Sequence, residues 1–286
     1  MTEKTKPRLQ TDRYRLLEEV GSGAIATVWR ATDSESGAHV AIKLMRAEQL
    51  DLEDIQRLAQ EVEILRKLSH PCIVKLFGTG VAESGNPYVV MEWVDGIDLR
   101  ERLEVSPTLP PADVADIVNQ ICAGLSEAHG AEVIHRDMKP ENVLLCAPEH
   151  LAVKLVDFGM AKVLSPDAPS LTVDGKVFGT PEYMAPERAQ GRAVEPAADV
   201  YGLAVMAYEM LEGRRPFDGK NPIQVMMRQI SEPPPAMSRV GPAVADAVLA
   251  GLAKASADRP DAARFARRLD RAIREGAPLT PDRRDG

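Results

Sequence analysis

A short polar segment carries residue types from which a catalytic site could be built. The stretch VIHRDMKPENVLL, residues 133–145, places charged and amide side chains between two apolar ends. Asp137 offers a carboxylate that can accept a proton, Lys139 a cation that can neutralise negative charge, and Asn142 an amide oxygen that can bind a hard metal ion. The apolar ends, 133–134 and 143–145, predict two short buried strands that hold the polar loop from both sides.

The sequence before this loop predicts a small, mostly antiparallel sheet with one helix. Apolar runs separated by turn residues predict strands at 14–20, 27–31, 39–44, 73–77 and 88–93. Apolar residues at helical spacing predict a helix over 52–68.

From Asp95 onward the pattern is helical. Pro110 and Pro111 open a helix with one apolar face, and further helices are predicted over 196–211, 222–230, 242–253 and 261–273. Residues 165–176 lack periodicity and predict a mobile loop. The expected organisation is an N-terminal extension (1–13), a β-rich N-lobe (14–94), a larger helical C-lobe (95–274) and a flexible tail (275–286). A cleft between two such lobes is a natural ligand site.

Composition limits the classes of function. The 286 residues carry a net charge of −8, which disfavours nonspecific binding to nucleic acid or to an anionic membrane. No apolar run is long enough for a membrane span, and the N-terminus has no hydrophobic signal region. Cys72, Cys122 and Cys146 are far apart in the sequence and predict buried thiols rather than a disulfide framework or a zinc site. We therefore expect a cytoplasmic protein.

Five motifs follow one another along the chain. VGSGAIATV lies between two predicted strands, VAIK ends a third, HRDMKPEN fills the polar loop, and DFG (157–159) and APE (185–187) follow. In this order they resemble Hanks-type protein kinases, in particular the eukaryotic-like Ser/Thr kinases of bacteria, over about residues 14–273. The resemblance implies a bilobal α+β kinase fold. It also implies ATP-dependent phosphorylation of Ser and Thr hydroxyls in protein substrates.

The resemblance makes the polar loop a catalytic loop. Asp137 accepts the proton of the substrate hydroxyl and Lys139 steadies the migrating phosphoryl charge, because phosphoryl transfer depends mainly on positioning and charge neutralisation. Asn142 and Asp157 supply oxygen ligands to Mg²⁺, with Mn²⁺ as the alternative ion. Lys139 and Thr180, in GTPEYMAPE, resemble the Ser/Thr class rather than the tyrosine class, and Thr180 belongs to the substrate-docking segment.

The resemblance also assigns an ATP site. Gly21 and Gly23 let backbone N–H groups approach the phosphates, and Lys43 holds the α- and β-phosphates while Glu61 holds Lys43. For the apolar members of the site, simple core packing is an alternative explanation. The residues expected to bind ATP are Val20, Gly21, Ser22, Gly23, Ala24, Ile25, Ala26, Thr27, Val28, Ala41, Lys43, Glu61, Met91 as gatekeeper, Glu92 and Val94 in the hinge, Asp98 at the ribose, and Leu144.

Other residues match structural positions of the family. His135 is expected to support the catalytic loop and Asp199 to brace it. Glu187 and Arg259 match a buried ion pair.

Regulation by phosphorylation is the further expectation. Arg136 precedes Asp137, and with Lys162 it could form a basic pocket for a phosphate on the loop. Thr172 is the expected autophosphorylation site, with an inert loop threonine as the alternative. Whether the chain dimerises for trans-autophosphorylation stays open.

Two positions depart from the family pattern. Ala26 replaces the usual third glycine of the first motif, and its Cβ is expected to restrict positive φ and stiffen the turn; Ile25 is also unusual there. Ala26 supports an alternative reading as a pseudokinase or ATP-binding scaffold with weak or no transfer activity. A small-molecule kinase is a further alternative, against which the APE and GTPEY segments favour a protein substrate.

Overall fold

The fold is described from a computed structural model. The structure describes residues 6–23, 26–46, 52–146, 152–158, 172–173, 176–177 and 180–276. An antiparallel sheet with one helix forms from the first part of this chain, and a mainly helical region forms from the rest. The predicted bilobal α+β architecture is therefore confirmed.

The N-terminal sheet has five antiparallel strands in the order β1-β2-β3-β5-β4. Its strands are β1 (Tyr14–Ser22), β2 (Ala26–Asp33), β3 (His39–Met45), β4 (Leu76–Val81) and β5 (Pro87–Glu92). Helix α1 (Leu52–Leu65) carries Leu58, Val62 and Leu65 on its buried side. These side chains pack against the sheet and the segment before β4, because the apolar face of a short amphipathic helix needs a partner surface.

The helical region is built around one buried helix. Its helices are α2 (Leu99–Val105), α3 (Pro111–Gly130), α4 (Pro186–Ala189), α5 (Ala197–Glu212), α6 (Pro222–Ser231), α7 (Pro242–Gly251) and α8 (Ala262–Gly276). Every residue of α5 from Ala198 to Glu212 is buried. The acidic residues of α5 therefore need partners inside the protein: Asp199 accepts from the polar loop, and Glu209 accepts from Tyr183.

A second, three-stranded sheet carries the polar loop. It consists of β6 (Gly96–Asp98), β7 (Val143–Cys146) and β8 (Ala152–Leu155) in that order. Asp98 pairs with Leu144 between β6 and β7, and Leu144 pairs with Lys154 between β7 and β8. Residues 143–145 thus form the strand that the sequence predicted.

Two local predictions were wrong. Residues 133–134 form no strand, although Val133 is buried, because the chain there runs as an irregular segment from α3 into the polar loop. Residues 73–77 were predicted as one strand, but β4 begins at Leu76. Ile73 instead forms an isolated parallel bridge with Leu155, and its buried side chain belongs to the same large apolar core as Leu155.

Part of the predicted mobile loop is paired backbone. Strands β9 (Thr172–Val173) and β10 (Lys176–Val177) form a short antiparallel pair. At the other end of the chain, Leu9 bridges to Ala82, which ties the segment before β1 to the β4–β5 hairpin.

Two compositional expectations can be compared with the structure. Cys72 and Cys122 are buried, Cys146 is half-buried, and none of the three is in a disulfide. Across the described ranges, no helix combines the length and apolar character that crossing a membrane requires.

Candidate active site

Asp199 on α5 organises the polar loop from beneath. Its carboxylate is almost fully buried and accepts backbone N–H bonds from His135 and Arg136, each at 2.8 Å. His129 of α3 donates from Nε2 to the same carboxylate at 2.8 Å. Arg136 has a φ of 70°, a left-handed conformation that is unfavourable for a non-glycine residue. The two bonds to Asp199 hold the backbone there, as the predicted bracing role requires.

His135 joins the loop to the segment that begins the DFG motif. Its Nε2 donates to the carbonyl of Val156 at 2.9 Å, and its Nδ1 accepts from the backbone N–H of Asp137 at 3.3 Å. The imidazole is fully buried and stacks at a tilt on Phe158, with ring centroids 4.5 Å apart. His135 is therefore a packing and hydrogen-bonding residue, as the sequence indicated.

Asp137, Lys139 and Asn142 converge on one another. The Nζ atom of Lys139 lies 2.6 Å from Oδ2 of Asp137. Asn142 donates from Nδ2 to the backbone carbonyl of Asp137 at 2.7 Å and to its Oδ2 at 3.1 Å. Burial alone would raise the pKa of Asp137, but the attraction of Lys139 and of the nearby Arg188 and His135 brings it below the ordinary value. The carboxylate is thus held ionised and oriented in the cleft.

Asn142 also connects this cluster to Asp157. Its backbone carbonyl accepts from the N–H of Val156 at 3.0 Å, directly before Asp157. Asp157 has a φ of 65°, which turns the chain sharply after β8. The carboxylate of Asp157 is then reached by Lys43 of β3, with Nζ and Oδ2 2.7 Å apart. Lys43 therefore contacts Asp157 directly, and the backbone of the adjacent Val156 joins this segment to Asn142 of the polar loop.

Glu61, the predicted partner of Lys43, lies half-buried on α1. The ion pair that is described for Lys43 uses Asp157. The pairing of Lys43 with Glu61 stays a prediction.

The glycine-rich turn joins β1 to β2. Gly23 donates its N–H to the carbonyl of Ala26 at 2.9 Å. An added Cβ at Gly21 would meet the side chain of Val28 at an ordinary 3.7 Å, and one at Gly23 would meet the carbonyl of Ala26 at 3.7 Å. The fold itself therefore has room for a side chain at both glycines, so their identity does not follow from packing. Ala24 and Ile25 lie outside the described residues.

Ala26 is not strained. It begins β2 as extended backbone paired with Met45, and its side chain is buried. The expectation that its Cβ would oppose a positive φ was wrong, because a strand residue needs no such conformation. Thr27 follows it in the same strand.

Part of the predicted adenine site forms one apolar cluster. Ala41 and Met91 are direct cross-strand partners between β3 and β5, and Val28 and Val94 pack against the same cluster. Leu144 is half-buried on β7. Val20 and Ser22, which were also predicted to bind ATP, are exposed at the end of β1.

Glu92 and Asp98 have roles inside the protein that the sequence did not indicate. The Glu92 carboxylate accepts from Lys154 Nζ at 2.8 Å and from the backbone N–H of Lys75 at 3.1 Å. Asp98 caps α2 by accepting from the N–H of Glu101 at 2.9 Å, and burial raises the pKa of its carboxyl.

A concave site opens beside Asp137. It is lined by Arg136, Asp137, Met138, Thr180, Tyr183, Met184, Ala185, Arg188 and Ala198. Thr180, the predicted docking residue, thus lies in the same concavity as Asp137, the predicted base. Arg188 donates to the backbone carbonyl of Arg136 and so ties α4 to the polar loop.

The predicted ion pair of Glu187 and Arg259 is present. Both guanidinium nitrogens Nη1 and Nη2 of Arg259 lie 2.7 Å from the carboxylate oxygens of Glu187. The side chain of Arg259 is fully buried and also donates to the backbone carbonyls of Ala253, Lys254 and Ala197. This arrangement fixes α4, and with it the wall of the concave site.

Two of the three predicted regulatory residues lie within the described residues. Thr172 lies in β9, and Lys162 lies outside the described residues. Arg136 is half-buried and lines the concave site.

The donor set fits a hard divalent cation. Asn142 uses its Nδ2 group in the described hydrogen bonds, which leaves its carbonyl oxygen Oδ1 for a metal ion. Asp157 adds a carboxylate, and amide and carboxylate oxygens are ligands that Mg²⁺ prefers. Within the described ranges, no group of three or more His, Cys, Asp or Glu side chains could form a metal site of protein ligands alone. A site with few protein ligands suits a Mg²⁺ ion that keeps water and phosphate oxygens.

Sequence reasoning missed several residues of this site. Arg100, Lys154 and Arg188 all make contacts that bridge distant parts of the chain. Each pairs with a residue more than fifty positions away, and no local pattern signals such a contact. One indirect signal was available for Arg100. Glu209 interrupts the apolar run of α5, and a buried carboxylate requires a cationic or hydrogen-bond-donating partner.

Comparison with known proteins identifies the family to which the chain is similar. A family model described as "Protein kinase domain" matches residues 14–267. The chain is 36% identical over 261 residues to the serine/threonine-protein kinase PknB of Mycolicibacterium smegmatis, covering 90% of this chain and 41% of that protein. It is 36% identical over 262 residues to the serine/threonine-protein kinase pkn3 of Myxococcus xanthus, covering 88% and 48%. The chain therefore spans less than half the length of these relatives.

Solved structures agree on the fold. The kinase domain of Mycobacterium tuberculosis PknI superposes with a TM-score of 0.71 at 25% identity, covering 93% of this chain and 98% of that one. Rad53 residues 1–466 in complex with AMP-PNP superposes with a TM-score of 0.73 at 28% identity, covering 91% and 65%.

Proposed function

Because this chain belongs to the protein kinase family, we propose that it transfers the γ-phosphate of ATP to serine and threonine hydroxyls of protein substrates. One observation carries the proposal. Contacts join Lys43, Asp157, Asn142, Asp137 and Lys139, with the backbone N–H of Val156 linking the segment of Asp157 to Asn142. These are the cation, metal ligands, base and second cation that phosphoryl transfer needs in one place.

Asp137 is the proposed base. Its lowered pKa keeps the carboxylate ionised at neutral pH, so it can orient the substrate hydroxyl and accept its proton at Oδ1 or Oδ2. The Nζ atom of Lys139 lies 2.6 Å from Oδ2 of Asp137, where its positive charge would stabilise the negative charge of the transferring phosphoryl group. Proton transfer to a weak base is sufficient where positioning is the main catalytic task.

Asn142 Oδ1 and the Asp157 carboxylate would hold Mg²⁺ or Mn²⁺. When bound, the ion neutralises phosphate charge. The protein's own part is to fix the two ligands: Asn142 through its bonds to Asp137, and Asp157 through its ion pair to Lys43.

ATP would lie between the two sheets. Gly21 and Gly23 carry no Cβ at positions with room for one, so phosphate oxygens could approach the backbone of this turn closely. The cluster of Val28, Ala41 and Met91 offers an apolar site for adenine. Glu61 would then pair with Lys43, and Glu92 to Val94 would form the hinge.

The substrate would be a protein segment. Thr180 shares the concave site with Asp137, which suits an acceptor hydroxyl delivered from an extended peptide. The three free thiols fit the reducing cytoplasm expected for such a kinase. The pseudokinase alternative depended on Ala26, and that residue is an unstrained member of β2.

Activation by phosphorylation of Thr172 is part of the proposal. Arg136 and Lys162 would receive the phosphate through charge-assisted hydrogen bonds. Phosphopeptide mapping after incubation with ATP should find phosphate at Thr172. If the chain dimerises for trans-autophosphorylation, the rate of this autophosphorylation would depend on protein concentration.

The decisive experiment measures transfer from radiolabelled ATP to a general protein substrate, followed by phosphoamino-acid analysis. The chain should label serine and threonine, and Asp137→Asn should reduce the rate by about 10²–10⁴-fold, the contribution expected from a positioned base. The matched control is Asp246→Asn, an exposed aspartate on α7. Equal labelling by the chain and its Asp137→Asn variant would exclude the proposed role of Asp137.

A further inference from the structure

An arginine occupies an acidic site beside the substrate concavity. Arg100 of α2 lies 2.9 Å from Glu209 through Nη1 and Oε1, and 3.3 Å from Glu141 through Nε and Oε1. Its Nη2 donates to the hydroxyl oxygen of Tyr183. Tyr183 in turn donates to Glu209 Oε2 at 2.5 Å. One guanidinium therefore contacts two carboxylates and a phenol that come from three separate segments.

This site borders the path of a peptide substrate. Tyr183 lines the same concavity as Asp137 and Thr180. Glu141 is in the short helical turn Pro140–Asn142 of the polar loop, and its side chain is exposed. A substrate side chain that extends from the concavity past Tyr183 would reach Glu141 and the carboxylate behind it.

Arg100 neutralises the two carboxylates of this site, Glu141 and Glu209. Glu209 lies on the fully buried helix α5, and only 10% of its side chain is exposed. A carboxylate with so little water needs a cation or strong donors. Without Arg100 the site would carry two negative charges, supported by the Tyr183 hydroxyl alone among the described contacts. It would then resemble the sites that bind arginine in other proteins, where planar guanidinium groups meet carboxylates.

We propose that Arg100 is a specificity residue: from inside the protein it fills the anionic site that Glu141 and Glu209 would otherwise present to a basic side chain of the substrate. The chain is thereby kept from selecting substrates with an arginine at that position. The inference rests on the proposed kinase function for its meaning, but the occupancy of the site can be tested without catalysis.

The first test removes the guanidinium of Arg100 by substitution and supplies a small guanidinium ion in its place. Methylguanidinium is titrated into the unmodified chain and into Arg100→Ala, and the melting temperature is followed against sodium chloride at equal ionic strength. A saturable rise is expected only in Arg100→Ala. An equal response of both proteins would overturn the proposal, whether or not the chain is a kinase.

The second test measures selectivity in kcat/KM. Matched peptides carry one acceptor serine and either arginine or glutamine at each flanking position in turn. Arg100→Gln should prefer arginine at one position by about tenfold, the scale of a hydrogen bond to a charged group. The unmodified chain and Arg100→Lys should show no such preference, and Arg100→Gln/Glu209→Gln should lose it.

A purely structural role for Arg100 predicts something else. It would lower kcat/KM for both members of each peptide pair equally, which would contradict the proposal. If Arg100→Ala and Arg100→Gln both failed to fold, Arg100 would be required for the fold, and its assignment as a specificity residue would be withdrawn. If methylguanidinium binds as expected but no peptide is phosphorylated, the proposed function fails and the site assignment survives.

Discussion

Lys43 and Asp157 form an ion pair that joins the N-terminal sheet to the segment after β8, with Nζ and Oδ2 2.7 Å apart. Both side chains are largely shielded from water, with 14% and 27% of their surfaces exposed. The pair brings a cation from β3 to a proposed metal ligand, so it links the two halves of the proposed nucleotide site.

Replacing Lys43 should therefore strongly reduce transfer activity without unfolding the protein. Lys43→Met deletes the cation that neutralises phosphate charge, and we expect kcat/KM for ATP to fall by about 10²–10³-fold, as when one preorganised electrostatic group is lost. Steady-state kinetics with a fixed protein substrate would measure it. The control is Lys220→Met, at an exposed lysine. A Lys43→Met variant as active as this control would contradict the assignment.

The buried ion pair of Arg259 should be a main source of stability. Arg259→Met leaves the Glu187 carboxylate buried and unpaired, and we expect the free energy of unfolding to fall by about 3–5 kcal/mol. Urea denaturation would measure this difference. As the matched control, Arg264→Met breaks a pair with Asp261 at 3.3 Å in which both side chains are mostly exposed, and it should cost less than about 1 kcal/mol. Similar costs for the two variants would show that burial does not decide the effect.

Asp33 should make the protein sensitive to acid. The hydrogen bonds from Arg13, at 3.1 and 3.0 Å, are the main cause that lowers the pKa of Asp33 from 3.8 to about 2. Because the folded state binds this proton less readily than the unfolded state, the contribution of Asp33 is complete above pH 3.8 and is lost as the pH falls toward about 2. Its ionised form thus stabilises the fold at neutral pH.

Asp33→Asn should consequently lower stability at neutral pH and reduce its decline in acid. The measurement is the urea midpoint between pH 7 and pH 3 for the unmodified chain, Asp33→Asn and the exposed control Asp246→Asn. A decline for Asp33→Asn as steep as that of the unmodified chain would assign the acid sensitivity to other groups.

Elements with strong periodicity could be predicted, but contacts between distant segments could not. The apolar face of α3 was readable because Val114, Ile117, Val118, Ile121 and Leu125 repeat at helical spacing, and all five are fully buried. Helix α2 was missed because it has only seven residues and two buried positions, too few for a period to emerge. The run at 73–77 misled because an apolar segment does not indicate which sheet it packs against.

The same limit applies to the site. The order of the motifs located Asp137, Lys139 and Asn142, and the structure brings these three residues into contact. It could not show that Asp98 caps α2 or that Arg100 reaches Glu209. Those contacts depend on how α2, the polar loop and α5 pack, and this is a three-dimensional property that residue spacing does not encode.

The last prediction concerns Lys154, which links β8 to the proposed hinge. Its Nζ lies 2.8 Å from Oε2 of Glu92, and that same oxygen accepts from the backbone N–H of Lys75. Lys154→Met removes a partly exposed ion pair, with 22% and 31% of the two side chains exposed, that is worth at most about 1 kcal/mol, so we expect KM for ATP to rise by about two- to fivefold. The turnover number should change little, because no contact at Asp137 is altered. Lys154→Arg should restore KM, since it keeps a cation beside Glu92. A fall in kcat at unchanged KM would mean that Lys154 acts on the catalytic loop and not on the position of the nucleotide.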